Sequence, residues 1–186
     1  MRLNLANSLT LVRIVAIPLF AACFYLPWVW ARPTAASLFI LAALTDLLDG
    51  YVARRFNQTT AFGAFLDPVA DKLIVATALV LLVQADPRLS LTLVAAIIIG
   101  REITVSALRE WMASIGDRTS VAVSFVGKIK TTLQMTGLSL MIWQQPLGSL
   151  ETYPLGLLLL LIAAGLTMWS MWVYLRAAWP ALSRSA

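Results

Sequence analysis

Six stretches of mostly apolar sequence, each close to the length that crosses a bilayer, set the first limit on how this chain can fold. They run Ser8–Trp30, Thr34–Phe56, Pro68–Gln84, Leu91–Ala113, Gly127–Gln144 and Pro154–Ala178. A membrane-crossing helix needs about 20 predominantly apolar residues. Hydrocarbon accepts only segments whose backbone polar groups are satisfied internally, which favours helices over open sheet. The apolar residues come in blocks rather than one-sided stripes, so lipid is the solvent expected around them. Composition agrees, since only 12% of the 186 residues are charged, about half the fraction of an ordinary soluble domain. The breaks at Arg32-Pro33, Asn57-Gln58-Thr59-Thr60, Asp86-Pro87, Gly116-Asp117 and Gln145-Pro146 carry ordinary stop and turn residues. The expectation is all-α: one polytopic membrane domain over residues 1–186, without repeats. Phe20-Ala21-Ala22-Cys23 is close to a lipoprotein-type cleavage site. Arg13 interrupts the run before it, however, and Phe20 stands where a smaller aliphatic belongs, so the segment reads as a retained helix.

The basic residues orient such a bundle. With six spans, the termini and the even-numbered gaps share one side. That side carries Arg2, Arg13, Arg54, Arg55, Lys72, Arg101, Arg109, Arg118, Lys128, Lys130, Arg176 and Arg184, leaving Arg32 and Arg88 for the other. This asymmetry puts both termini in the cytoplasm. It also accounts for the net charge of +5 through topology and contact with anionic lipid, without nucleic acid. One cysteine excludes an internal disulfide framework, and the absence of histidine leaves acid–base chemistry to carboxylates, lysines and hydroxyls.

Asp46, Asp49, Asp67 and Asp71 fall at the cytoplasmic ends of the second and third spans, where ionised side chains cost several kcal/mol or more unless paired, hydrated or bound to metal. Asp46 and Asp49 are i and i+3, Asp67 and Asp71 are i and i+4, so each pair shares a helix face. Two such faces joined by a short turn can gather four carboxylates around one or two ions. Oxygen ligands without nitrogen or sulfur favour a hard cation, Mg²⁺ or Mn²⁺, and two ions are expected. Singly, Asp67 before Pro68 reads as a helix N-cap, and Asp49-Gly50 as turn chemistry. Gly50 and Ala53 extend the second-span stripe with almost no side-chain bulk, which suits close helix packing or a flat ligand. Arg54 follows one turn after Gly50 with a fork suited to phosphate. Thr60 and Gly63, in the turn, offer a hydroxyl and a close backbone approach.

The run Asp46-x2-Asp49-Gly50-x2-Ala53-Arg54-x8-Gly63-x3-Asp67-x3-Asp71 resembles, without departure, the signature of the CDP-alcohol phosphotransferase family. Asn7-x2-Thr10-x2-Arg13 is similar to that family's N-terminal element. Arg101-Glu102, Ser106, Leu108-Arg109-Glu110, Ser120-Val121-Ala122-Val123 and Gly127-Lys128-Ile129-Lys130-Thr131 resemble its bacterial phosphatidylglycerophosphate synthase branch. The resemblance implies six transmembrane helices around a cytoplasm-facing polar cavity, in a homodimer of the bacterial inner membrane. It implies metal ligation by Asp46, Asp49, Asp67 and Asp71, with Asp71 as proton acceptor. It implies cytidine-nucleotide binding around Gly50, Ala53, Arg54, Thr60 and Gly63, with Asn7 and Thr10 contributing; on their own these last two also read as an N-cap of the first span. The implied reaction transfers a phosphatidyl group from CDP-diacylglycerol to the 1-hydroxyl of sn-glycerol 3-phosphate and releases CMP.

An acceptor that carries phosphate needs cations near the cytoplasmic mouth, and Arg101, Arg109, Lys128 and Lys130 stand there. Topology alone also explains them, and Glu102 and Glu110 could pair with some. Two other readings stay open: the same chemistry with inositol phosphate, serine or phosphatidylglycerol as acceptor, and a divalent-cation transporter. Transport sites usually lie near the midplane on broken or repeated helices, whereas these carboxylates cluster at one edge.

Overall fold

The computed structural model describes residues 5–55, 61–114 and 125–185, with side chains described for all of them except 5–7, 9, 47–55, 61–62, 64, 109, 113, 125–126, 177–178 and 180–185. Six helices follow one another: α1 Leu5–Tyr25, α2 Ala31–Arg55, α3 Ala61–Ala85, α4 Leu89–Ser114, α5 Phe125–Trp143 and α6 Thr152–Ser185. Among the described residues no strand forms beyond one isolated bridge, Leu147 to Leu150, in the α5–α6 turn.

The helices alternate in direction, and their polar residues separate accordingly. One end gathers the start of α1, the end of α2, the start of α3, the end of α4 and the start of α5. At the opposite end the Tyr153 hydroxyl donates to Asp86, Arg88 Nε donates to the same carboxylate at 2.9 Å, and Gln145 Nε2 donates to the Val29 carbonyl at 3.0 Å. Between the two ends the interior is apolar. Phe20, Phe24 and Phe39 bring α1 onto α2, while Ile74, Leu79, Leu82, Leu91, Ile98, Leu138, Met141 and Leu160 carry the core through the other helices. The outer surface is apolar as well, with Val12, Val15, Leu93, Ile103, Leu158, Trp169 and Trp172 all exposed. Among the described residues, Leu89–Met112 and Thr152–Arg176 are long and apolar enough to cross a bilayer.

The start of α3 differs from its expectation. The third span was expected to begin at Pro68, and Asp67 taken singly also read as its cap, yet the helix begins at Ala61. Apolar, helix-compatible residues between Phe62 and Leu66 carry it back two turns, and Pro68 is tolerated inside it at the loss of one backbone hydrogen bond. Asp67 is therefore an interior helical residue and not an N-cap, and Gly63 is a buried position of α3 and not part of a turn. The same holds for Asn7 and Thr10, which lie inside α1 rather than capping it.

Helices α5 and α6 meet at backbone contact. A methyl placed on Gly137 would lie 2.8 Å from the Gly156 carbonyl oxygen, and one on Gly156 would lie 2.7 Å from the Gly137 carbonyl oxygen and 3.0 Å from the Met141 nitrogen. Backbone cannot step aside as a flexible side chain can, so these glycines fix the spacing of the pair. Gly137→Ala and Gly156→Ala should each destabilise the protein by about 1–3 kcal/mol. Gly100→Ala, which would meet nothing within 4 Å, should be neutral or stabilising by up to about 1 kcal/mol. Thermal unfolding of the purified variants in one lipid mixture checks the contrast; equal melting temperatures for all three would contradict it.

Candidate active site

At the polar end, α1 lies across α2 and α3 and supplies their partners. Thr10 and Arg13, three residues apart on one face of α1, meet Asp67 and Asp71, four apart on one face of α3. The Thr10 hydroxyl donates to Asp67 Oδ1 at 2.5 Å. Arg13 Nη1 donates to Asp71 Oδ1 at 2.6 Å and to Asp46 Oδ1 of α2 at 3.0 Å. Thr10 and Arg13 are each 1% exposed, whereas the Asp46 and Asp71 side chains are 38% and 42% exposed. The cation is thus sealed beneath the carboxylates, and the carboxylates face outward into open space.

That space is a cavity with two lobes, lined by both polar and apolar side chains. One, of about 180 Å³, lies between α2, α3, α4 and α5, with Asp46, Asp71, Lys72, Glu102, Lys130 and Gln134 on its wall. The other, of about 170 Å³, is lined by Pro68, Asp71, Lys72, Arg101, Glu102 and Ser106. Asp71, Lys72 and Glu102 border both. An apolar groove of about 200 Å³ between α3 and α4 starts from the same Lys72 and Glu102 and continues over Leu73, Ala76, Ile99 and Ile103. Leu73 and Ile103 are exposed, so the groove opens on the apolar outer surface.

Glu102 organises the cations of the cavity. Its Oε1 accepts from Arg101 Nη1 at 3.0 Å and from Lys130 Nζ at 3.2 Å, while Arg101 Nη2 reaches Ser170 Oγ of α6 at 3.3 Å. Arg101 and Lys130 are 8% and 5% exposed. Arg101 and Lys130 thus share the walls of the cavity with Asp71, Lys72 and Glu102, placing cations and carboxylates side by side. Lys128 is exposed. The side chains of Asn7, Asp49, Gly50, Ala53, Arg54 and Arg109, and all of Thr60, lie outside the described residues.

The donor set suits a hard divalent ion. Oxygens of Asp46 and Asp71, from different helices, already converge on one nitrogen cation, and both carboxylates retain exposed surface. The described residues alone hold no group of three acidic, cysteine or histidine ligands, so a complete set would draw on Asp49. Sequence reasoning missed Arg13 as the partner of these aspartates. The available signal was its register: an arginine in an apolar run, one turn after Thr10.

The chain is similar to known proteins over nearly its whole length. The family described as CDP-alcohol phosphatidyltransferase matches residues 3–176. The chain is 54% identical over 182 residues, 98% of both chains, to a Yersinia enterocolitica protein named CDP-diacylglycerol–glycerol-3-phosphate 3-phosphatidyltransferase. Proteins of the same name from Pectobacterium atrosepticum and Salmonella paratyphi A are 54% and 51% identical over 178 residues, each covering 96% of both chains. The chain belongs to the CDP-alcohol phosphatidyltransferase family.

Proposed function

We propose that this protein transfers the phosphatidyl group of CDP-diacylglycerol to sn-glycerol 3-phosphate, giving phosphatidylglycerol phosphate and CMP. The observation that carries the reading is one cavity wall holding both Asp71 and the buried Lys130, a carboxylate for the attacking hydroxyl and a cation for the acceptor's phosphate. The relatives' shared name supports the same substrates. The adjoining apolar groove suits the acyl chains of a lipid, which would let an amphipathic substrate lie half in the cavity and half in the bilayer. All six helices, at about 1.5 Å rise per residue, are long enough to span hydrocarbon, with the polar end and both termini in the cytoplasm of a bacterial inner membrane. A homodimer is the expected assembly.

In this reading Asp46, Asp49, Asp67 and Asp71 hold divalent metal, Mg²⁺ or Mn²⁺, with two ions expected. When bound, the metal supplies positive charge to the diphosphate and to the departing CMP. Gly50, Ala53, Arg54, Thr60 and Gly63 take the nucleotide, with Asn7 and Thr10 contributing. The acceptor's 1-hydroxyl attacks the lipid-linked phosphorus. A new phosphorus–oxygen bond forms, the bond to the CMP oxygen breaks, and the hydroxyl proton passes to Asp71. Arg13 holds Asp71 at a fixed place for that transfer. Lys130, Arg101, Arg109 and Lys128 bind the acceptor's phosphate.

Activity should vanish in chelator and return with Mg²⁺ or Mn²⁺; full turnover in a metal-free preparation would refute the metal assignment. Asp71→Asn should slow transfer by about 10²- to 10⁴-fold while CDP-diacylglycerol still binds, and equal loss of lipid binding would remove its role as base. Lys130→Gln should raise KM for glycerol phosphate by roughly 10- to 150-fold, the range for a lost charge-assisted hydrogen bond, and barely alter KM for the lipid. An unchanged acceptor KM would leave Lys130 with a packing role only.

Arg13 and the metal neutralise the same carboxylates, which generates a separate expectation. Breaking a buried ion pair costs about 3–5 kcal/mol at most, and less here because the carboxylates are partly exposed. Arg13→Gln should therefore lower the melting temperature more in chelator than in Mg²⁺. An identical drop in both conditions would show that metal and Arg13 act on different groups.

A further inference from the structure

Among the described residues, the 180 Å³ lobe has one lining side chain with a buried, unpartnered polar atom. Gln134 is 5% exposed, lines this lobe, and has a buried Oε1 with no hydrogen-bond partner among the described residues. A buried acceptor left unpaired costs about 1–3 kcal/mol, and native interiors rarely keep one without reason. Packing gives no such reason. Met135 and Val75 share the wall, and a leucine or methionine at position 134 would fill similar volume without the penalty.

Its position narrows the choice of ligand. Lys130 and Gln134 are i and i+4 on α5, about 6 Å apart along the axis, with Gln134 the deeper of the two. Asp71 of α3 borders the same space. A primary amide offers a donor and an acceptor, and a hydroxyl can pair with either. The lobe accommodates about a dozen water-sized volumes of roughly 15 Å³ each, enough for a small phosphorylated polyol.

We propose that Gln134 binds the hydroxyl of the acceptor that does not react, the 2-hydroxyl of sn-glycerol 3-phosphate. This inference rests on the acceptor reading given above. The phosphate at Lys130 and the 2-hydroxyl at Gln134 are two anchors one helical turn apart. With both held, the 1-hydroxyl is the group turned toward Asp71. Gln134 thereby selects which hydroxyl attacks, and it discriminates against acceptors with no hydroxyl at the second carbon. Sites built to hydrogen-bond a hydroxyl reject the analogue lacking it, because their own buried groups are then left unpaired.

The test compares sn-glycerol 3-phosphate with 3-hydroxypropyl phosphate, which lacks only the 2-hydroxyl, following CMP release by the full-length protein in lipid. The parent should prefer glycerol phosphate by about 10- to 100-fold in kcat/KM, in line with one lost hydrogen bond in a buried site. Gln134→Leu should bring that ratio to about threefold or less, with the loss confined to glycerol phosphate and KM for CDP-diacylglycerol unchanged. An equal slowing of both acceptors, or a retained preference, would overturn the assignment. If Gln134→Leu does not fold, Gln134→Met and the parent's own ratio decide the matter. A parent driven by glycerol phosphate but indifferent to the 2-hydroxyl sinks the role of Gln134 alone. A parent that releases CMP only with a different alcohol sinks the acceptor reading and Gln134 with it.

Discussion

A guanidinium that is 1% exposed holds the polar end of this bundle together, since Arg13 of α1 is bonded at once to Asp46 of α2 and Asp71 of α3. In an apolar bundle neither sign of charge could be placed there alone. Unpaired, the carboxylates would repel one another across the α2–α3 pair, and an unpaired arginine would sit uncompensated in the core. Together they make a site that exists before any ligand arrives. Arg13 approaches from beneath, so the carboxylates keep their outward faces for other partners. The Thr10–Asp67 bond, one turn away on α1 and α3, sets the register in which this occurs.

The second polar cluster follows similar logic with the signs exchanged. Glu102 is one carboxylate between Arg101 and Lys130, from two helices, with Ser170 of a third taking a remaining guanidinium donor. One cluster has acidic groups toward the cavity and a cation behind, the other cations along the wall and one acidic group to seat them. Asp71, Lys72 and Glu102 border both lobes between the two. In the proposed reaction a negatively charged acceptor and a diphosphate with its metal need opposite surroundings, and this division would supply them within one small space. The rigid α5–α6 contact at Gly137 and Gly156 fixes the helix that carries Lys130 and Gln134.

Much of this was legible in the sequence, because lipid punishes deviations that water would forgive. Six apolar blocks became six helices, and the loops at Asp86-Pro87 and Gln145-Pro146 fell where turn residues predicted them. The aspartate spacing revealed shared faces because helical periodicity is local. The start of α3 was not legible, since a proline after an aspartate reads locally as a helix start. The apolar, helix-compatible residues between Phe62 and Leu66 carry the helix past it. The role of Arg13 was hidden for a related reason. A lone arginine in an apolar run reads as a topology charge until residues 33 and 58 positions away are seen to meet it. Gln134 carried no sequence signal beyond sharing a face with Lys130, because an unsatisfied atom is a property of packing.

The central claim is that the acceptor's own hydroxyl oxygen forms the new bond to the lipid-linked phosphorus at Asp71. It can be tested by labelling the 1-hydroxyl of sn-glycerol 3-phosphate with oxygen-18. Purified protein in lipid would be given this acceptor, CDP-diacylglycerol and Mg²⁺, and both products analysed by mass spectrometry. The account predicts that every molecule of phosphatidylglycerol phosphate retains the label, that CMP carries none, and that the two products appear in equal amounts. Unlabelled lipid product, or CMP released without a matching phosphatidylglycerol phosphate, would contradict it.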